Sequence, residues 1–280
     1  MNLLVQPRDG VKPLVEAIAR AKKSIAIAVF RFDLPELESA LQAAIKRGVT
    51  VTALIAHTSS GGEKNLRKLE SRLLEAGAFV ARTDDDMVRY HGKLLLIDDE
   101  TLFVLGFNYT KLDICDSRSL GIVTRKASLI REAKRLIAAD CDRSRKFRPS
   151  RTDLVISPEN ARDRLKRFIR RARRELLIYD DGLSDDAMLR ELKRRAESGV
   201  VIKILGQLEK KWRGSGFKVR KPGRRLHVRA MVRDHRRAFI GSQSLRRLEL
   251  DERREVGIII RDRMIVKEIE RVFKADWRQD

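Results

Sequence analysis

The sequence predicts an α/β fold built from two homologous halves that pack as a pseudo-two-fold dimer within one chain. Three observations predict it. Leu14 to Phe30 (LVEAIARAKKSIAIAVF) lies over Leu165 to Asp181 (LKRFIRRARRELLIYDD), and Gly48-Val49 lies over Gly199-Val200, at a constant offset of 151. Further on, His91 falls over His227, Asp98 over Asp234, Gly121 over Gly257, Glu132 over Glu268 and Asp140 over Asp276, at a constant offset of 136. Each half also reads helix, strand, helix, strand, then a block of short strands closed by a helix, and self-similarity at fixed offset marks a duplicated module.

The elements follow in order. Asp9 is placed to N-cap the first helix, since a short side-chain acceptor satisfies the free N–H groups there. Ile25 to Phe30 and Val49 to Ala56 are nearly continuously apolar and rich in β-branched residues, as strands of a sheet covered on both faces should be. Between them Pro35 stands where a helix start tolerates proline. The first half is 15 residues longer between the two matching blocks, and the surplus falls between His57 and His91. There, Glu63 to Gly77 (EKNLRKLESRLLEAG) has apolar residues at helical spacing and a terminal glycine suited to a C-cap. The second half carries a basic, glycine-containing loop instead, after the strand Val200 to Leu205. His57 and the Thr58-Ser59-Ser60-Gly61-Gly62 stretch after it read as a plain loop. The polar run Asp142 to Thr152 (DRSRKFRPSRT) has linker composition and divides residues 1–148 from 149–280. The helices Arg162 to Arg174 and Met264 to Trp277 are densely charged. In the first of them Leu165, Phe168, Ile169 and Ala172 form a core stripe that leaves the arginines on the solvated face, so neither reads as a nucleic-acid helix.

Composition narrows the partners. The chain has 280 residues with 62 Lys+Arg against 40 Asp+Glu, a net charge of +22, and 42% apolar residues. That apolar share fills a core and excludes wholesale disorder. Cys115 and Cys141 have no metal-ligand spacing, which excludes a disulfide framework or a cysteine zinc site and points to a reducing, cytoplasmic setting. Met1 to Gly10 meets Arg8 and Asp9 before any signal-peptide core, and no run approaches the ~18 apolar residues of a bilayer span. At most, peripheral attachment to an anionic membrane surface is expected. Residues 1–150 hold 26 basic and 19 acidic side chains, whereas 151–280 hold 36 and 21. The extreme run, Lys210 to Arg233, has ten basic residues and no acidic one. Lys210, Lys211, Arg213, Lys218, Arg220, Lys221, Arg224 and Arg225 form its rim before His227, and the run is expected at the mouth of a cleft that takes a polyanion. Trp212 and Phe217 within it are placed either to stack on bases or to insert at a lipid interface.

The chemistry sits at the repeated histidines. His91-Gly92-Lys93 through Asp98 has the form H-x-K-x4-D, and six residues later comes Leu105-Gly106-Phe107-Asn108. In the second half His227-Val228-Arg229 with Asp234 gives H-x-R-x4-D, followed after six residues by Gly241-Ser242-Gln243-Ser244. Residues i and i+2 of a strand share a face, so His91 points with Lys93 and His227 with Arg229. Both blocks resemble the HKD motif of the phospholipase D superfamily, H-x-K-x4-D-x6-G-S-x-N, over almost the whole chain. Two copies in register inside a duplicated scaffold make a far more specific signal than one. The first copy keeps the asparagine and loses the Gly-Ser pair; the second keeps Gly-Ser, with Arg229 for the lysine and Ser244 for the asparagine.

The resemblance implies halves of α-β-α sandwich type that bring both motifs into one cleft, and a covalent mechanism without metal or cofactor. One histidine attacks phosphorus while the other protonates the leaving alcohol and then activates water or an acceptor alcohol. It implies His91 as nucleophile and His227 as general acid/base, with Lys93, Asn108, Arg229, Ser242 and Ser244 binding phosphate and Asp98 and Asp234 serving local structure. The family places a carboxylate downstream to orient each histidine. Glu255, 28 residues after His227, fits that place, whereas Ser119 occupies it after His91. A Glu255–His227 pair would make the second histidine the better nucleophile, and Asp116 or Asp113 is the alternative support for His91. His235, in an Asp-His-Arg-Arg turn, reads as a surface residue. The leading expectation is a phospholipase D or cardiolipin synthase-like enzyme acting on phospholipid. The alternatives are a nuclease of the same superfamily and a catalytically silent polyanion-binding protein; in each case the chain is expected to be a monomer with an internal pseudo-dimer.

Overall fold

The computed structural model describes residues 1–57, 63–83, 88–142 and 147–278. The Thr58–Gly62 loop and residues 143–146 of the expected linker therefore lie outside the described residues. In the first half β1 (Asn2–Gln6) is followed by α1 (Lys12–Arg20), β2 (Ser24–Val29), α2 (Pro35–Lys46), β3 (Thr50–Ile55), α3 (Glu63–Glu75), β4 (Phe79–Arg82) and β5 (Arg89–Tyr90). It closes with β6 (Leu94–Ile97), β7 (Thr101–Leu105), α4 (Lys111–Cys115), β8 (Ser119–Thr124) and α5 (Ala127–Cys141). The second half runs β9 (Leu154–Ser157), α6 (Ala161–Arg170), β10 (Glu175–Leu183), α7 (Asp186–Glu197), β11 (Val201–Leu208) and β12 (Phe217–Arg220). It ends with β13 (Arg229–Arg233), β14 (Arg237–Gly241), α8 (Arg247–Asp251), β15 (Arg253–Ile260) and α9 (Arg263–Arg278).

The first sheet has the order β1-β8-β7-β6-β2-β3-β4, and the second repeats it strand for strand as β9-β15-β14-β13-β10-β11-β12. Register repeats as well: Ile25 pairs with Ile97, and Leu176 at the equivalent place pairs with Arg233. The duplicated α/β architecture is thus the one the repeat predicts. α1 buries Leu14 and Ile18, and α6 buries Leu165 and Ile169 at the same positions, each side chain contributing roughly 1.5–3 kcal/mol relative to exposure. One apolar core runs through the first half, takes in α5 and α9, and reaches the inner face of the second sheet; another lies under α6 to α8. Pro35 opens α2, as expected. Asp9 does not cap α1: Val11 holds the N-cap position, and the Asp9 carboxylate instead accepts the Val5 N–H at 2.7 Å across the turn after β1.

Asp98 and Asp234 serve the backbone. Each lies in the left-handed region (φ 54° and 51°) at the turn that leaves β6 or β13. Asp98 accepts the N–H groups of Lys22, Lys23 and Ser24; Asp234 accepts those of Arg173, Arg174 and Glu175. Both carboxylates thereby fix the entry to the sheet's parallel strand.

The seam between halves obeys the same symmetry. β5 adds in parallel to β15, with Tyr90 opposite Arg254, while Leu226 bridges to Arg118. The His91 N–H donates to Arg254 O at 2.7 Å and the His227 N–H to Arg118 O at 3.0 Å. Arg254 pairs with Asp140 and Arg118 with Asp276, at 3.1 and 2.7 Å. Gly106 is required here, since a Cβ on it would stand 2.8 Å from Leu120 O and 3.1 Å from Gly241 O. Each catalytic-motif histidine is therefore positioned by a backbone carbonyl of the opposite half.

Candidate active site

The segment between β5 and β6 carries His91 and Lys93; His227 lies two residues ahead of β13, and Arg229 is its first residue. Both histidines are 16% exposed at the side chain, and Lys93 is almost wholly buried. The carboxylates that hold them are crossed. Glu255 Oε2, from the second half, lies 2.8 Å from His91 Nδ1, and Asp113 Oδ2, from the first half, lies 3.1 Å from His227 Nε2. Both sequence expectations for these carboxylates are corrected: Glu255 does not pair with His227, and neither Asp113 nor Asp116 is the support for His91. The reason is topological, because β15 carries Glu255 alongside β5 of the other half. Ser119, at the place equivalent to Glu255, is buried and donates its hydroxyl to Asp113 O.

Burial dominates the electrostatics of both sides. Burial, joined by Lys93, Arg253, Arg229 and Arg89, pushes the His91 imidazolium well below the ordinary range, so the ring is neutral. Burial pushes the Glu255 carboxyl up to about 7, against the pull of Lys93, and pushes the Lys93 ammonium down to about 7, against Glu255 and Asp113. Lys93 donates to His91 O at 2.9 Å and lies 5.5 Å from the Phe30 ring centroid. His91 meets the same ring edge-on at 4.5 Å. His227 is likewise pushed well below its ordinary value by burial, with Asp113 opposing, so this ring too is neutral. Burial would raise Asp113, but His227, two N–H groups of Asn108 and Arg225 outweigh it and hold the carboxylate low.

The remaining motif residues divide. Asn108 donates to Asp113 at 2.7 Å and stands 3.3 Å from His227 Nε2, with its Oδ1 buried and unpaired. Arg229 is already engaged by Asp181 at 2.8 Å and approaches Asp180 at 3.8 Å. Ser244, expected to bind phosphate, is buried with its hydroxyl turned to Asp180 at 2.5 Å, and its N–H donates to Glu249 at 2.6 Å. Ser242 is likewise spent, on the Val256 backbone. Both serines thus carry the strand-end turn and are not aimed at a ligand.

The basic run does not act as one rim. Lys221, Arg224 and Arg225 line a recess of about 400 Å³ with Asp181, and Arg225 reaches Asp113 at 2.9 Å. Lys218 and Arg220 lie on β12, the edge strand, with Arg220 stacked on Trp277 at 4.9 Å, while Lys210 and Arg213 are exposed ahead of it. Lys211 is tied to Asp186 and Glu209. Trp212 and Phe217 are partly buried and pack one side against the second core. His57 donates its backbone N–H to Thr83 Oγ1 and is exposed.

Sequence reading missed Asp113 as the support of His227 and Asp180-Asp181 as the counter-charges of Arg229. A signal existed for each. The offset of 136 sets Asp113 over Glu249, two carboxylates placed alike after each motif, and the offset of 151 sets Asp180-Asp181 over Val29-Phe30. A metal is best sought at Glu175, His235 and Glu270, whose ligand atoms lie within 4.8 Å of one another. Lys203 and Lys274 already neutralise the two carboxylates, so the group does not fit a divalent cation. His235 is half-exposed there, bonded to Glu270 at 2.9 Å.

The family model described as cardiolipin synthase, PLD-like domain matches residues 14–140 and 165–277. A crystal structure of polyphosphate kinase from Porphyromonas gingivalis aligns with a TM-score of 0.81 at 17% identity, over 99% of this chain and 47% of the kinase. The chain thus spans about half the length of that protein. Phosphatidylserine synthase from Haemophilus influenzae aligns with a TM-score of 0.71 at 12% identity, covering 97% of this chain and 85% of that one. No curated protein matches. These likenesses establish the duplicated fold over the whole chain.

Proposed function

The chain belongs to the phospholipase D superfamily, in its cardiolipin synthase PLD-like domain family, and on that premise we propose that its cleft cleaves or transfers a phosphodiester through a covalent phosphohistidine. The observation that carries the reading is the crossed pair of supports, Glu255 on His91 and Asp113 on His227. Glu255 accepts the Nδ1 proton of neutral His91 and leaves the Nε2 lone pair free to attack phosphorus. The new N–P bond forms as the P–O bond to the leaving oxygen breaks, and His227, which takes up a proton as the anionic phosphate enters beside it, gives that proton to the leaving oxygen. Glu255 then stabilises the positive charge on the phosphorylated ring. Water or an alcohol next attacks phosphorus, its proton passes to His227, and the N–P bond breaks to restore His91. Lys93 holds the nonbridging oxygens as a compact ammonium, and Arg229, steadied by Asp181, offers a planar second donor.

The substrate the surroundings favour is the backbone of a nucleic acid. Lys93, Arg89, Arg229 and Arg253 all act on His91, and Lys221, Arg224 and Arg225 extend that field outward, which suits a chain of phosphates better than a single one. A phospholipid is the second reading, favoured by the family's description and by the exposed Leu112 beside Asp113.

The test is to incubate the purified chain in EDTA with single- and double-stranded DNA, RNA and phosphatidylglycerol liposomes, beside His91→Ala and His227→Ala variants. Nucleic-acid products that vanish in His91→Ala support the proposal. Products from liposomes alone would move the substrate to lipid, and binding without turnover of any substrate would overturn the enzymatic reading.

A further inference from the structure

The duplicated scaffold forms the same surface groove twice, at the ends of the central strands that face away from the cleft. In the first half the groove has a volume of about 640 Å³ and is lined in part by Pro13, Glu16, Arg20, Ile97, Thr101 and Arg125. In the second half it has a volume of about 1160 Å³, and the same six positions hold Arg164, Arg167, Arg171, Arg233, Arg237 and Arg261. Two arginines have become six on one backbone plan. The groove lies about 20 Å from His227 along β13.

Arg164 is engaged internally by the Thr152 and Leu154 carbonyls, Arg233 by the Phe168 carbonyl and Arg261 by Asp153. Arg167, Arg171 and Arg237 have no carboxylate partner among the described residues, and neither does Arg151 at the rim. The two acidic side chains of the lining are occupied: Asp153 by Arg261 at 2.9 Å and Lys126 at 3.4 Å, and Glu159 by the buried Arg254. The crowding costs energy. Burial together with Arg261 and Arg167 pulls the Arg164 guanidinium below its ordinary value, and burial together with Arg171, Arg237 and Arg261 does the same to Arg233. In the first-half groove Glu16 answers Arg20 at 3.0 Å, and Asp98 and Glu100 contribute further negative charge.

We infer that the second-half groove is a docking site for the phosphate backbone of nucleic acid, separate from the cleft and independent of turnover there. Arginine forks pair bidentately with phosphate oxygens, and a concave basic track suits a chain of phosphates. The readout is of backbone and not of bases: Phe168, the aromatic side chain of the lining, is buried and already covered by Arg233 at 4.7 Å. A bilayer is the poorer occupant, because among the described residues none of the large exposed apolar side chains lies in the groove. Arg167 and Arg171 are exposed, as the solvated-face reading expects; with Arg164 they line one groove together with Arg233 and Arg237 of the β13–β14 hairpin.

The test exchanges first-half residues into second-half positions. An Arg167→Glu, Arg237→Thr double variant places at each site the residue that the first half carries at the equivalent place. Binding of a labelled DNA duplex of about 20 base pairs is followed by fluorescence anisotropy across a salt series, with binding to phosphatidylglycerol vesicles and to inorganic polyphosphate measured beside it. DNA affinity should fall at least ~10-fold, and the slope of log K against log salt should flatten by about 1–2. Turnover of a small reporter, bis(p-nitrophenyl) phosphate, should stay at the parental value, which separates failure of the groove from failure of the cleft. Glu16→Arg with Thr101→Arg in the parent should raise DNA affinity. Unchanged DNA affinity and salt slope in a double variant of parental melting temperature would overturn the inference. So would loss of vesicle or polyphosphate binding with DNA binding intact.

Discussion

The two halves share one backbone plan and spend it differently. Around His91 the first half gathers a buried ammonium, Lys93, and borrows its carboxylate, Glu255, from across the seam. Around His227 the second half has an arginine neutralised by Asp181 and a serine turned inward to Asp180, and it borrows from the first half a carboxylate, Asp113, that also answers Asn108 and Arg225. Burial keeps both rings from charging; the side with the compact ammonium beside it suits attack on phosphorus, and the side with the shared carboxylate, which favours the charged ring, suits proton transfer. A duplicated fold thus divides labour by changing the cation beside each histidine and the groups that share its carboxylate, while the crossed supply of carboxylates stays the same.

The largest expected effect would break this division directly. His91→Ala should abolish turnover of every phosphodiester, whereas His227→Ala should lower it by about 10²–10⁴-fold for a poor leaving group and much less for p-nitrophenolate, which leaves without a proton. Steady-state rates on two substrates differing in leaving-group pKa check it. Equal losses on both substrates in both variants would erase the distinction.

Next come the supports. Glu255→Gln should cut kcat more than Asp113→Asn, because only the former removes charge that stabilises the phosphorylated ring. The comparison of kcat with KM in each variant measures the difference.

A smaller, pH-dependent contrast follows from the cations. Lys93, lowered to about 7 by burial, is charged below that pH and neutral above it, so KM should rise as pH passes about 7. Lys93→Arg should remove that limb, since a guanidinium stays charged. Stability carries the opposite mark. The folded chain holds Lys93 at about 7 against 10.5 for the free side chain, so between those values the unfolded state binds more protons and stability climbs with pH. Lys93→Met should therefore raise Tm at and below pH 7, with the gain shrinking toward pH 10.5.

The smallest expected difference lies where the halves are alike. Asp98→Asn and Asp234→Asn each weaken a carboxylate cap on three backbone N–H groups and should each cost on the order of 1 kcal/mol. Urea denaturation measures both, and a gap of several kcal/mol between them would show the two turns to be unequal.

Much of this was legible in sequence because it depends on periods and offsets. The repeat carried the likeness of the two halves; the i, i+2 argument took each motif pair as strand residues, whereas His91, Lys93 and His227 lie just outside the strands. What could not be read depends on which strand of one half lies beside which strand of the other. Glu255 follows His227 by 28 residues in sequence yet meets His91, because β15 accepts β5 from across the seam. That the solvated arginines of α6 line a groove was hidden for the same reason: helical periodicity reports one element at a time, and Arg233, Arg237 and Arg261 reach them only through the fold.

The central claim is that His91 attacks phosphorus. Quenching the reaction with a phosphodiester substrate and mapping the phosphorylated peptide by mass spectrometry tests it most directly. The account predicts phosphate on His91, accumulating further in His227→Ala, where breakdown is slowed. Phosphate on His227, or turnover with neither histidine modified, would contradict it.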